Sequence, residues 1–364
     1  MVLLYVFGAV ALINCAYYLL FSKFSFLTVA KNNVSETPSI SLIICAKNEA
    51  KNLQKNIPLW QQQTYPNFDI ILINDASVDE SLEVMEAFAE KDKRIQIVNV
   101  KNNEAFWASK KYALTLGIKR SKNNRLVFSD ADCYPASKEW LAIMASKFSS
   151  EKQLVLGYGA YEKQPGFLNK IIRFETLMTA VQYFAYAKAG NPYMGVGRNL
   201  AYTSDLFYET KGFMSHMKIS SGDDDLFVNE AATAKNVAIC TEPEAFTYSF
   251  PKKKKNKWLT QKKRHYSTAK RYKPKHRFLL AVYYSFNLLF WLLAVATLFT
   301  EFWVYGLAII FIRFLFQYII IGKAATKLKE QDLILLIPFY ELFLVVTQLS
   351  IFISNSGEKN SRWK

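Results

Sequence analysis

Residues 125–135 read RLVFSDADCYP, and the fold turns on them. An apolar run, Leu126, Val127 and Phe128, stops at Ser129, and two carboxylates, Asp130 and Asp132, follow one residue apart. A short continuous apolar run suits a parallel strand buried on both faces. A polar break at the carboxyl end of such a strand is where open α/β sheets bind their ligands. Alternation along an extended chain sends Asp130 and Asp132 to the same side, so both can face one cation or one diphosphate. Alone, the same stretch is also an ordinary polar turn capping a strand. Its flanks decide which.

Upstream, residues 39–45 (SISLIIC) form a β-rich run that ends in Ala46, Lys47, Asn48 and Glu49. A helical pattern follows, with Leu53, Ile57, Leu59 and Trp60 on its apolar side. Residues 68–73 (FDIILI) predict a second strand that ends in Asn74, Asp75, Ala76 and Ser77, and 78–90 a second helix. Residues 95–100 predict a third strand and 109–118 a third helix, which leads into the opening stretch. Strands alternating with helices of this length predict an α/β domain with a mostly parallel sheet covered on both faces. Polar clusters then stand at three strand ends on one rim, which a capping turn alone does not require.

Downstream the chain changes character. Residues 167–187 are aromatic, amphipathic and sparsely charged, as a core helix or a helix lying on a lipid surface would be. Residues 195–202 (GVGRNLAY) read as a Gly-rich turn entering a strand, which lets backbone approach a ligand closely. Residues 220–227 (SSGDDDLF) pack three carboxylates at the start of a helix. A helix dipole tolerates such a cluster. Mutual repulsion also raises the pKa of one member, which suits it to act as a general base.

The 364 residues carry 46 Lys and Arg against 30 Asp and Glu, a net charge of +16, yet 51% are hydrophobic. Charge and apolarity must therefore be segregated, and they are. Residues 2–21 form a stretch without charge, enough to cross a bilayer. A cleaved signal peptide would want a basic start, a shorter apolar core and a small-residue cleavage site, and none is evident. Residues 278–299, 302–321 and 333–354 predict three further spans, with Arg313, Gln317, Pro338 and Glu341 inside them. Arg313 and Glu341 suit a pair, an acceptor groove, or ordinary packing with snorkelling. The dense basic run within 251–277 suits anionic lipid headgroups better than nucleic acid, because an apolar span follows at once. The positive-inside rule then puts the central domain in the cytoplasm. The lysines of 323–332, read as a loop, agree with that side. Four spans leave both termini outside the cytoplasm, whereas Lys359, Arg362 and Lys364 favour the inside, which one re-entrant span would reconcile. Cys15, Cys45, Cys133 and Cys240 make no C-x-x-C pair and suit reduced thiols, and the three histidines are too scattered for a zinc site.

In this order the residues resemble the membrane-associated family 2 glycosyltransferases, whose nucleotide-diphospho-sugar transferase domain is GT-A-like. Ala46-Lys47-Asn48-Glu49 is similar to the P-A-x-N-E turn, with Cys45 in place of the Pro. Asn74-Asp75-Ala76-Ser77 resembles the D-D-G-S turn whose Asp binds the nucleoside. Lys110 matches the Lys of a G-K-x-x-A-L helix start, and Asp130-Ala131-Asp132 matches the D-A-D metal and diphosphate motif. Gly222-Asp223-Asp224-Asp225 resembles the acidic motif that supplies the base. Three aspartates leave its register open between Asp224, which follows the small residue, and Asp223, which the downstream Asp-Leu favours; Asp224 is preferred. Trp258, Gln261 and Arg264 resemble W-x-x-Q-x-x-R-W, with His265 for the final Trp.

The resemblance implies inverting, metal-dependent hexosyl transfer from a nucleotide sugar, most often a UDP-sugar. It implies Mn²⁺ or Mg²⁺ at Asp132 and Asp130, and a proton taken by Asp224, with Asp223 and Asp225 beside it. Donor contacts would fall to Ala46, Asn48, Glu49, Asp75, Lys110, Asp130, Gln261, Arg264 and His265. The expected organisation is a span at 1–22, a cytoplasmic transferase domain at 38–250, a basic interfacial segment at 251–277, membrane helices at 278–354 and a tail at 355–364. The setting favours an inner-membrane protein with a lipid or lipid-linked acceptor and no nucleic-acid partner. A processive polysaccharide synthase is the alternative. A non-catalytic nucleotide-binding scaffold is a third reading, against which the acidic cluster counts.

Overall fold

The computed structural model describes residues 1–28, 37–101, 109–219 and 221–357. The chain forms two compact units. A helical unit comprises Met1–Leu27, Lys163–Tyr186 and Lys252–Lys364, and an α/β unit comprises Thr28–Glu162 and Ala187–Pro251.

In chain order the elements begin with α1 (Val2–Ser25), β1 (Ile40–Ala46), α2 (Ala50–Gln61) and β2 (Phe68–Asp75). There follow α3 (Ser81–Ala89), β3 (Ile95–Val100), α4 (Ser109–Arg120), β4 (Arg125–Asp130), β5 (Cys133–Pro135) and α5 (Trp140–Ala145). Next come β6 (Leu154–Leu156), β7 (Gly159–Tyr161), α6 (Phe167–Lys188), β8 (Leu200–Thr203), α7 (Ser204–Glu209) and α8 (Asp225–Ala231). The chain continues through β9 (Val237–Ile239), β10 (Thr247–Ser249), α9 (Lys255–Ala269) and α10 (Pro274–Leu298), and on to α11 (Trp303–Lys327) and α12 (Ile337–Gly357).

The large sheet of the α/β unit runs β3-β2-β1-β4-β8-β6-β9. β1 pairs in parallel with β2 and β4, and β2 with β3. β8 is antiparallel to both β4 and β6, and β9 returns parallel to β6. A smaller sheet, β5-β10-β7, carries the segment after the aspartate pair. Alternation explains the covering of the large sheet. Leu42, Ile44, Ile70 and Leu72 face one core with Leu53, Ile57, Trp60, Met85 and Trp140 of α2, α3 and α5. Ile43 and Ile73 face the other way, under α4. Gly117 permits that approach, since a Cβ there would stand 2.2 Å from Ile73 Cδ1.

Register places the functional rim. Cys45 stands opposite both Ile73 and Asp130, so the carboxyl ends of β1, β2 and β4 finish level. α3 begins later than the helix predicted from residue 78. Ala76 is left-handed (φ 49°). The Val78 N–H donates to Asn48 Oδ1, and Asp79 Oδ1 accepts from the Ser81 N–H. Side chains that satisfy backbone locally hold residues 76–80 in a turn.

In the helical unit, α1 packs on α10 and α11: Phe7, Val10 and Ala11 cluster with Phe290 and Ala294 of α10 and with Ile309, Ile310 and Phe314 of α11. Among the described residues, four helices are long and apolar enough to cross a membrane: Val2–Ser25, Pro274–Leu298, Trp303–Lys327 and Gln331–Ser354. The fourth opens as a 3-10 turn, Gln331–Leu336, and Pro338 falls in the first turn of α12, where its missing N–H is not needed. The predicted loop 323–332 is helical as far as Lys327. Arg313 and Glu341 are a pair. Arg313 Nη2 lies 2.6 Å from Glu341 Oε2 and donates to Asn287, Nη1 donates to Gln317, and the Tyr18 hydroxyl donates to Glu341 Oε1. Arg313 is 0% and Glu341 4% exposed, so they line no open groove. α6 belongs to this unit and is no core helix of the sheet: Arg173 pairs with Glu330 and Asp332, and Phe174 packs on Tyr340. The tail residues Lys359, Arg362 and Lys364 lie outside the described residues.

Candidate active site

The rim of β1, β2 and β4 gathers most of the residues singled out by sequence. Ala46 ends β1 and is buried. Asn48 adopts a left-handed conformation (φ 58°), its N–H donates to Ser77 Oγ and its Oδ1 takes the Val78 N–H. The Glu49 N–H donates to Ser81 Oγ, and its Oε2 accepts from Asn52. Asn48 and Glu49 thus tie the turn after β1 to the turn after β2. Asp75 is 3% exposed, and its Oδ1 has no hydrogen-bond partner among the described residues. Lys47 Nζ approaches its other oxygen only to 4.0 Å. A buried acceptor left open this way is costly to the fold and suits a ligand N–H.

Lys110, in the first turn of α4, joins the two acidic motifs. Its Nζ lies 3.1 Å from Asp130 Oδ1 and 2.8 Å from Asp223 Oδ2. Burial pulls the Lys110 pKa down, but Asp130 and Asp223 outweigh it and hold the group well above its ordinary value. The partnership is reciprocal. Burial raises Asp223, yet Lys110 overcomes this and leaves it below the usual carboxylate range.

Asp224 is treated differently. Its Oδ2 accepts the Gly197 N–H at 2.7 Å and its Oδ1 accepts the Asp225 N–H at 2.7 Å. Burial, followed by the charges of Asp223 and Asp225, pushes its pKa up to about 7. Asp225 is buried, starts α8 and accepts the Leu226 N–H. Gly222 makes the approach possible. Its φ is +93°, and a Cβ there would come within 2.5 Å of Leu226 Cδ1. A small cavity opens onto Cys45, Lys110, Ser129, Asp130, Asp223 and Asp224.

One oxygen from each of Asp130 and Asp132 and the Cys133 sulfur lie within 4.8 Å of one another. The two carboxylates fit a hard divalent cation such as Mg²⁺ or Mn²⁺, which takes oxygen ligands and keeps waters. Cys133 does not complete that set. It is 0% exposed and pairs with Ser249 inside the small sheet.

Gln261, Arg264 and His265 lie on α9 in the helical unit. Trp258 is buried there, Gln261 half-buried, and Arg264 and His265 exposed, so the four do not share one environment. Three residues at the α/β site were missed by sequence: Gly197, whose backbone approaches Asp224 rather than a ligand, Lys111 and His216. The Gly-rich stretch 195–202 was the only signal for the first, and the other two carried none.

Residues 41–209 match the model of glycosyl transferase family 2. The fold is GT-A-like, that of the nucleotide-diphospho-sugar transferases. The chain is 25% identical over 197 residues to glycosyltransferase AglE of Haloferax volcanii, covering 52% of this chain and 60% of that one. It is 34% identical over 116 residues to a 4,4'-diaponeurosporenoate glycosyltransferase of Staphylococcus haemolyticus, covering 32% and 30%. In both cases it spans less than two thirds of the relative's length. A mannosyltransferase of Pyrobaculum calidifontis, solved with GDP-Man and Mn²⁺, has the same fold, with a TM-score of 0.57 at 16% identity over 92% of this chain and 99% of that one.

Proposed function

We propose that this protein transfers a hexose from a nucleotide diphospho-sugar to a hydroxyl of a lipid or lipid-linked acceptor at a membrane, with inversion at the anomeric carbon. The observation that carries the reading is the unequal treatment of two adjacent aspartates. Asp223 is held ionised by Lys110, and Asp224 is poised at about 7. A general base works best with a pKa near the operating pH.

In this reading the open oxygen of Asp75 accepts an N–H of the nucleobase. Asp130 and Asp132 would hold a divalent ion, Mn²⁺ or Mg²⁺; the Mn²⁺ of the mannosyltransferase neighbour supports this. An ion held by these two carboxylates would supply positive charge against the charge that grows on the diphosphate. Lys110 supplies a second, fixed positive charge beside Asp130. The acceptor oxygen attacks the anomeric carbon as its bond to the diphosphate breaks, and the hydroxyl proton passes to Asp224. The nucleoside diphosphate leaves.

A UDP-sugar is the first donor to test, and GDP-mannose the second because the structural neighbour binds it. Four apolar helices and a run with no acidic residue between 252 and 277 support an acceptor at an anionic membrane, with the α/β unit on the cytoplasmic side of the inner membrane. The test is to incubate the full-length protein in membranes with radiolabelled nucleotide sugars, with and without chelator, and to separate the lipid extract. A single labelled lipid that disappears with chelator is expected. A ladder of products would favour the processive synthase, and full activity in excess chelator would remove the metal from the scheme.

A further inference from the structure

Lys111 is 1% exposed, forms no carboxylate pair among the described residues, and takes no part in the chemistry above. Its Nζ lies 2.7 Å from His216 O, 3.1 Å from Ile219 O and 2.7 Å from His216 Nδ1. An ammonium has three N–H donors, and three acceptors meet it. All three belong to the strap that leads from the left-handed Lys211-Gly212 pair into the acidic motif. Nδ1 must then be the unprotonated ring nitrogen, which puts the His216 proton on Nε2, 3.9 Å from Glu230 of α8.

Lys110 and Lys111 thus divide the start of α4 between them. The first holds Asp130 and the Asp223 carboxylate, and the second holds the backbone that delivers Asp223 and Asp224. Burial brings the Lys111 pKa down to about 8, against the opposing pull of Asp223, Asp225 and Asp224. His216 is pushed down to about 4 by burial and by Lys111 itself. Between these values the donor is largely charged and the acceptor neutral, so the clasp is closed at neutral pH.

We propose that Lys111 is a positioning residue for the transfer reaction: by clasping the strap 213–219 at two carbonyls and His216, it sets the register of 222–225 and presents Asp224 to the acceptor. The proposal rests on the reading of Asp224 as the base, and its test separates the two. In the full-length protein, Lys111→Ala should lower kcat by about 10- to 100-fold, the scale of a misplaced catalytic group. Nucleotide and Mn²⁺ affinity should stay within about twofold, because Lys110, Asp75, Asp130 and Asp132 are untouched. Amide hydrogen exchange across 213–225 should accelerate, and propylammonium should restore both kcat and protection by refilling the site. Lys111→Gln keeps two donors without the charge, serves if the alanine variant does not fold, and should show the same changes more weakly.

Unchanged exchange across 213–225 in a folded variant would overturn the clasp. A nucleotide affinity that falls in step with kcat would overturn the positioning role, since Lys111 would then act on the donor. If the wild-type protein transfers from no donor, the proposed function fails, and the exchange measurement still decides the clasp.

Discussion

The Gly197 N–H donates to Asp224 Oδ2 at 2.7 Å, and this bond holds a carboxylate whose pKa is nonetheless raised to about 7. A backbone donor lowers a carboxylate pKa. Here burial and the charges of Asp223 and Asp225 win against it. The result is an oriented carboxylate near half-ionisation at neutral pH.

The pH dependence follows from that balance. If Asp224 is the base, kcat/KM rises with pH, levels above about 7, and Asp224→Asn abolishes transfer while nucleotide still binds. Initial rates across pH 5 to 9 and a binding titration check this. A flat profile through 7 would rule out Asp224 as the base.

Stability should run the other way. Asp224 binds its proton more tightly when folded, at about 7, than at its ordinary value of 3.8. Between these values the folded state keeps a proton that the unfolded state has lost, so stability falls as pH rises through this window. Thermal melts of Asp224→Asn should therefore gain on the wild type at pH 8 more than at pH 5.

Asp75 offers a case where function and stability oppose each other. Its Oδ1 is buried without a partner among the described residues. Asp75→Ala should weaken nucleotide binding by about 10-fold or more, the worth of a charge-assisted hydrogen bond. The same change should leave the melting temperature unchanged or raised, as removing a strained functional group does. Calorimetry and a melt on one preparation decide it.

The metal prediction separates neighbours. Asp130→Asn and Asp132→Asn should each lower Mn²⁺ affinity, read by the electron paramagnetic resonance of free Mn²⁺. Cys133→Ala should not, because the thiol is sealed in the small sheet. Equal losses at all three positions would make Cys133 a ligand.

In the helical unit, Arg313→Met alone leaves Glu341 buried without its partner. Breaking one side of a buried pair costs about 3–5 kcal/mol. The double replacement Arg313→Met with Glu341→Leu should recover most of that in detergent melts. No recovery would mean that the Asn287 and Gln317 contacts, rather than the pair, hold the bundle.

What the sequence determined by itself is the set of local rules. Continuous apolar runs at 42–45, 70–73 and 126–128 suit strands buried on both faces, and polar residues end each of them. The parallel sheet and the polar rim at Asp75 and Asp130 were therefore legible, while the resemblance to a family rested on the order of the motifs. Helix starts were less so, because turn chemistry at Asn48, Ser77 and Asp79 competes with helix propensity.

Only the tertiary structure distinguished the members of the acidic cluster. Asp223, Asp224 and Asp225 are identical in chemistry and adjacent in sequence, so their pKa order depends on who faces them. Lys110 arrives from more than a hundred residues earlier to hold Asp223, and the Gly197 backbone arrives to hold Asp224. The assignment of Arg313 to a pair and of α6 to the helical unit likewise needed partners distant in sequence. Pattern fixes what each segment is; long-range contact and burial fix the charge each side chain carries.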